Sequence, residues 1–268
     1  MNRTKIERMR TSSARSWSAI SALALLALTG CGAESEPVEN PHTGQSAPAG
    51  ANETAEDEAS VAPELSRQEA AVQRGSQRAG SFGFDKAQAA TAEELKQLRD
   101  SEAPQASGVH PAQCADALAT IDSSPAQLSE QSARIDFGSD TFTGTGTVEA
   151  AVLEGAEATD WLAEFRQNVQ TLTSDCEELE FVVDGQKFAF TTNSLDTEAD
   201  TVGLSWQRKP LLAGSQSAAQ EGTVNSQVMV AEQDGALFLV SFIGDEPATS
   251  GEFTQIGQKI LAAMKEEK

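Results

Sequence analysis

Tyrosine is absent from this 268-residue chain, and tryptophan occurs only at Trp17, Trp161 and Trp206. A sugar groove paved with stacked aromatics, or a large aromatic ligand cage, is therefore not expected. Histidine is confined to His42 and His110. A serine hydrolase would have only His110 as a base in the folded part, and no Gly-x-Ser-x-Gly elbow is present. Basic residues are also scarce, 19 against 41 acidic, for a net charge of −22. That balance repels nucleic acid and anionic headgroups, so neither is an expected partner. Long apolar runs are missing as well. The run Ala19–Leu28 spans about ten residues, against the roughly 20 that a bilayer-crossing helix needs.

That run has a setting of its own. It follows a basic head with Arg3, Lys5, Arg8, Arg10 and Arg15 against one acid, Glu7. It closes on Leu28-Thr29-Gly30-Cys31. This order resembles a bacterial lipobox, where a prolipoprotein is lipidated on cysteine and cut just before it. Residues 1–30 then read as a signal peptide, and Cys31 as the first mature residue, carrying acyl chains such as palmitate. A plain secretory signal and an uncleaved anchor are the other readings. One acyl chain holds membrane marginally, whereas two or three hold it firmly. The expected location is the outer face of the cell membrane, with the lipid on Cys31 as the membrane contact. Without the leader's net +4, the chain carries about −26.

Two further cysteines remain, Cys114 and Cys176. An even pair in an oxidising compartment suggests one disulfide. A metal pair and two free thiols are the alternatives. From Gly32 to about Ala90 large apolar residues are sparse, so residues 31–90 are expected to be a disordered tether, Ser66–Arg78 being at most a transient helix.

The domain is expected over residues 91–268. Thr91 with Glu94 forms a capping box, which starts a short helix to about Asp100. A second helix should begin near Pro111 and carry Cys114, Leu118 and Ile121 on one face. Strands are expected over Ser132–Phe137 and Thr141–Leu153. A long helix over about 156–175 buries Trp161, Phe165, Val169 and Leu172. Two hairpins turn at Asp184-Gly185 and Asp234-Gly235. Val202–Gln207 reads as a strand between them. A final helix over about 250–265 presents Phe253, Ile256, Ile260, Leu261 and Met264. Hairpins dominate, so the fold class is α+β, a mostly antiparallel sheet with packed helices, in one domain behind the tether.

Certain landmarks carry a family resemblance. They are His-Pro-Ala-Gln-Cys at 110–114, the stretch from Ala158-Thr159-Asp160-Trp161 to Ser174-Asp175-Cys176, and the late strand pair Val228–Ala231 and Leu237–Phe242 before the last helix. In these the chain resembles the PknH-like extracellular sensor domain of actinobacteria, also found in stand-alone lipoproteins, over about residues 105–268. The resemblance implies an antiparallel sheet with helices, a ligand-binding cleft and no known catalysis. Many members carry four cysteines where two are available here. The chain also shows no kinase domain and no spanning helix, so direct signalling is not expected.

The remaining motifs point to no reaction. Asp136-Phe137-Gly138 spells the kinase metal tripeptide but lacks a His-Arg-Asp loop, and reads as a strand end. Gly144-Thr145-Gly146 lacks the third glycine and the helix of a dinucleotide site, and reads as close packing in a strand. Asp196, Glu198 and Asp200 could hold Ca²⁺ only weakly, and read as a solvated acidic loop, as do Glu177, Glu178 and Glu180. A glycosidase carboxylate pair has no aromatic support around it. Arg208-Lys209 could meet an anion or a partner, and reads as a strand end. No cofactor, metal or catalytic residue is expected. The expected function is a lipid-anchored, non-catalytic, sensor-like extracytoplasmic domain that binds an envelope ligand or protein. The alternatives are a carrier of an apolar molecule and, third, an envelope hydrolase. A carrier requires a large apolar cavity between sheet and helices. A hydrolase requires converging polar groups with perturbed ionisation.

Overall fold

A computed structural model describes residues 65–101, 106–121, 123–211 and 222–266, and these form one α+β domain. Among them, nine strands make a single antiparallel sheet. In chain order the strands are β1 (Lys86–Ala89), β2 (Ser107–His110), β3 (Ser132–Gly138), β4 (Gly144–Val152), β5 (Glu178–Val183), β6 (Gln186–Ser194), β7 (Thr201–Pro210), β8 (Val224–Gln233) and β9 (Ala236–Gly244). Their order across the sheet is β1-β3-β4-β9-β8-β7-β6-β5-β2. The Asp-Gly turns form as expected, with Asp184 and Asp234 at φ near 51° and 52° followed by glycines also at positive φ. Such paired left-handed residues match the strand twist of two-residue hairpins.

Helices cover both faces. The long helix α5 (Glu157–Ser174) and the short α3 (Ala115–Thr120) lie on one face. There Phe165 and Leu172 of α5 meet Leu204, Val230 and Leu239 of the sheet. Trp161 is half-buried and stacks on Phe165, ring centroids 5.1 Å apart. The other face is covered by α6 (Gly251–Lys265) together with α1 (Arg67–Gly80). There Ile260, Leu261 and Met264 pack with Val72, Val148, Val240 and Phe242. Two small helices, α2 (Ala92–Asp100) and α4 (Pro125–Leu128), sit towards the β3 side.

The sequence expectation fails at the tether. Residues 65–90 belong to the domain. Ser66 and Glu69 form a complete capping box at the start of α1. Ala71 and Ala79 are fully buried and Val72 nearly so. Arg74 donates from Nη2 to the Met264 carbonyl at 2.9 Å and from Nε to the Ala263 carbonyl at 3.2 Å, closing the C-terminal end of α6. Phe84 sits among Phe137, Phe142, Phe242 and Phe253, with centroid distances of 5.4–6.2 Å. The segment looks sparse because many of the α1 core contacts are made by alanine and glycine. A Cβ on Gly75 would lie 2.7 Å from Met264 Cγ, so the helix pair packs at a distance that only small residues permit. The signal peptide, Cys31 and residues 31–64 of the expected tether lie outside the described residues.

Cys114 and Cys176 are joined, with Cα atoms 6.0 Å apart, as the pairing predicted. The bond ties the start of α3 to the end of α5, beneath the β5–β6 hairpin. It encloses a 62-residue separation, worth about 4 kcal/mol in the chain-entropy picture.

Candidate functional site

The α6 side of the sheet changes chemistry part-way across. Side chains alternate along β7: Val202, Leu204 and Trp206 pack towards α5. Gly203, Ser205 and Gln207 therefore face the α6 side. Under α1 and α6 that side is apolar, with Val148, Val240, Phe242 and Met229. Beyond the edge of α6, over β6, β7 and the start of β8, it becomes amides and hydroxyls. Register places Thr191 beside Gln207 and Asn193 beside Ser205. It places Gln207 beside Asn225 and Ser205 beside Gln227.

This polar field is the floor of a cleft of about 650 Å³, within the usual size range of small-molecule sites. Thr254, Gln255 and Gln258 of α6 form one wall, and Leu195 with Asp196, just after β6, closes the end. Asn225 and Ser205 are buried at 4% and 6% exposure, whereas Asn193 and Gln255 are open to solvent. The cleft thus grades from a buried floor to a wet rim.

The floor is internally fixed. Gln207 donates from Nε2 to Asn225 Oδ1 at 2.8 Å. The Thr254 hydroxyl lies 2.9 Å from Gln227 Oε1, linking α6 to β8 behind the cleft. Gln227 is fully buried, and its Nε2 has no partner among the described residues. Gln258 donates to the Asp196 carbonyl at 2.8 Å. Lys265 pairs with Asp200 at 2.7 Å. The last two contacts strap the 195–200 loop to α6.

Charge is what the lining lacks. In a chain of net −22, the lining holds a single ionisable side chain, that of Asp196. One exposed carboxylate supplies neither an acid–base pair nor an activated nucleophile. Neutral amides and hydroxyls both donate and accept, so the arrangement suits an uncharged ligand rich in hydrogen-bonding groups.

The other sequence candidates are structural. Asp136 lies near the end of β3 with its Oδ1 accepting from Thr147 Oγ1 at 2.7 Å and Arg134 Nε at 3.0 Å. Phe137 is a core ring. Gly146 faces that ring so closely that a Cβ would lie 2.1 Å from Phe137 Cε2, which accounts for the Gly144-Thr145-Gly146 run as packing. Asp196, Glu198 and Asp200 do not converge, and among the described residues no group of three His, Cys, Asp or Glu could hold a metal ion. Arg208 stacks over Phe188, 5.0 Å from the ring centroid. His110 ends β2 and is exposed, and His42 lies outside the described residues. A buried Glu149, absent from the expectations, accepts from Arg134 Nη1 at 2.9 Å, from the Ala126 N–H at 3.3 Å and from the Ser124 hydroxyl. It pins α4 to the sheet. Between the layers, Phe165 and Leu172 are buried on one face of the sheet and Ile260, Leu261 and Met264 on the other. The resemblance implied a cleft, but sequence reasoning did not place its residues, because polar residues at alternate strand positions also describe a solvated face. The signal that was available is amide-for-charge substitution: Asn193, Gln207, Asn225, Gln227, Gln255 and Gln258 where the rest of the surface is acidic.

No protein-family model matches the chain. No curated protein matches it. Among solved structures it is similar to the extracellular domain of PknH from Mycobacterium tuberculosis, at 11% identity and a TM-score of 0.42, covering 75% of this chain and 96% of that one. It is also similar to an uncharacterized protein from Mycobacterium smegmatis, at 15% identity and a TM-score of 0.39, covering 74% and 97% of the two chains. No helix among the described residues is long and apolar enough to cross a membrane.

Proposed function

We propose that this protein is a lipid-anchored, extracytoplasmic, non-catalytic domain that binds an uncharged ligand in the polar cleft between α6 and strands β6–β8. The observation that carries the reading is the Gln207–Asn225 floor. Amides stand here where the neighbouring sheet buries Val240 and Phe242; their mutual hydrogen bond offsets the burial, and polar groups set against the local core pattern are a mark of functional positions. The lining supplies several neutral donors and acceptors and no pair of ionisable groups, which favours recognition over chemistry. The basic head, the apolar run and Leu28-Thr29-Gly30-Cys31 support export and lipidation. The Cys114–Cys176 bond suits an oxidising compartment.

Two measurements test this. Cys31→Ala should move the protein from the membrane fraction to the soluble one, and continued membrane association defeats the anchor. Equilibrium dialysis against uncharged oligosaccharides and end-capped peptides should find a retained compound whose affinity falls about tenfold or more in Gln207→Ala, the worth of a buried hydrogen bond or two. Retention that is indifferent to Gln207 defeats the cleft.

A further inference from the structure

A second groove, at the β1 edge of the sheet, is built on different chemistry from the polar cleft. It has a volume of about 430 Å³ and lies between α1 and α2, over the end of β3. Leu65, just before α1, and Val72 of α1 form one side, Leu95 of α2 the other, and Ala90 and Ile135 the base. Part of this apolar surface is left open by the fold, although Val72 itself is nearly buried. Leu65 is 50% exposed, Leu95 is only half-buried, and α2 has no buried residue at all. A capped amphipathic helix normally lays its apolar stripe on a core. This one is held over a gap.

The same face of α2 carries Arg99, one helical turn beyond Leu95, and Arg99 also lines the groove. Its Nη1 is buried and has no hydrogen-bond partner among the described residues. That nitrogen is enclosed by protein, so an anion in the groove meets the rest of the guanidinium, which has no hydrogen bond or ion pair among the described residues and makes strong charge-assisted bonds in apolar surroundings. The other charged groups at the groove are Arg134, Glu69 and Glu130. Arg134 is committed to Asp136 and Glu149, at 2.9 Å each. Glu69 is committed to the Ser66 cap, at 2.8 Å from its N–H. Glu130 is exposed and makes no ion pair within 4.0 Å of Arg99. Among the described residues Arg99 is therefore the cation left over, at the end of the slot.

We propose that this groove binds a single-chain anionic amphiphile, a fatty-acid carboxylate, with the acyl chain between Leu65, Val72 and Leu95 and the carboxylate on Arg99. The guanidinium fork matches a carboxylate in two parallel hydrogen bonds. The volume suits one chain and lies near the lower end of ligand-site sizes, which disfavours a two-chain lipid. This reading is independent of the polar cleft.

The test is calorimetric titration of the full chain carrying Cys31→Ala, which removes any acyl chain of its own, with dodecanoate below its micellar concentration. The expected result is one site per chain. Acetate should bind at least about a hundredfold more weakly, since it buries no chain. Dodecyltrimethylammonium should bind at least about tenfold more weakly, and Arg99→Gln should lose about tenfold for dodecanoate. Glu130→Gln should not weaken dodecanoate. Should Arg99→Gln fail to fold, Ala90→Phe, which fills the base of the groove, must abolish dodecanoate binding while the circular dichroism stays native. Equal binding of the cationic amphiphile, or dodecanoate binding indifferent to both Arg99→Gln and Ala90→Phe, overturns the proposal. Gln207→Ala should leave dodecanoate affinity unchanged, which separates this site from the polar cleft.

Discussion

Gln207 and Asn225, side by side on β7 and β8, are hydrogen-bonded side chain to side chain, Nε2 to Oδ1 at 2.8 Å. The bond orients both amides before any ligand arrives. It also holds Asn225, at 4% exposure, in a floor that would otherwise be short of partners.

The pair is therefore expected to be coupled. Asn225→Ala and Gln207→Ala should each cost about 1 kcal/mol in urea unfolding, and the double variant should cost less than their sum. Strict additivity would mean that the two amides act separately.

The start of the domain gives a stronger effect. A chain beginning at residue 65 should fold cooperatively, whereas one beginning at residue 91 loses α1, β1 and Phe84 from the core. Phe84→Ala alone, at a site 5% exposed, should cost about 3–5 kcal/mol in chemical denaturation. A cooperative transition of unchanged midpoint from the 91–268 chain would contradict the packing described for α1.

That boundary is also where the sequence misleads. Elements built on large residues are legible: Phe165, Val169 and Leu172 mark α5, and Ile260, Leu261 and Met264 mark α6. So are the Asp-Gly hairpins and the disulfide, because turn chemistry and cysteine pairing are local or countable. The α1 helix is not legible by apolar content, since Ala71, Gly75 and Ala79 contribute by closeness rather than by area. Its Ser66–Glu69 capping box was the available sign. The cleft is legible only after the topology brings β6, β7 and β8 together.

Acid should destabilise the fold through specific carboxylates. Hydrogen bonds from the Ser66 hydroxyl and N–H hold Glu69 below its usual range. The Thr91 N–H and hydroxyl do the same for Glu94. The Lys265 ammonium, as hydrogen-bond donor, lowers Asp200. A carboxylate lowered in the folded state stabilises it above the unfolded value, near pH 4, and loses that contribution as pH falls through the folded value. Thermal midpoints should thus be flat near neutrality and fall below about pH 4. Asp200→Asn should make the acid limb shallower, by a small amount because the Asp200 carboxylate is half open to solvent. A limb unchanged in Asp200→Asn would show that Lys265 does not hold the 195–200 loop in solution.

The most direct test follows the side-chain amide resonances of Asn193, Gln207, Asn225 and Gln258 by ¹⁵N–¹H correlation during titration. The probes are uncharged oligosaccharides and end-capped peptides, with sulfated and amine-bearing analogues as charged controls. The account predicts saturable shifts at these four amides with an uncharged compound, and much weaker shifts with its charged analogues. Shifts that appear only with the charged compounds, or that map away from these four residues, would contradict it.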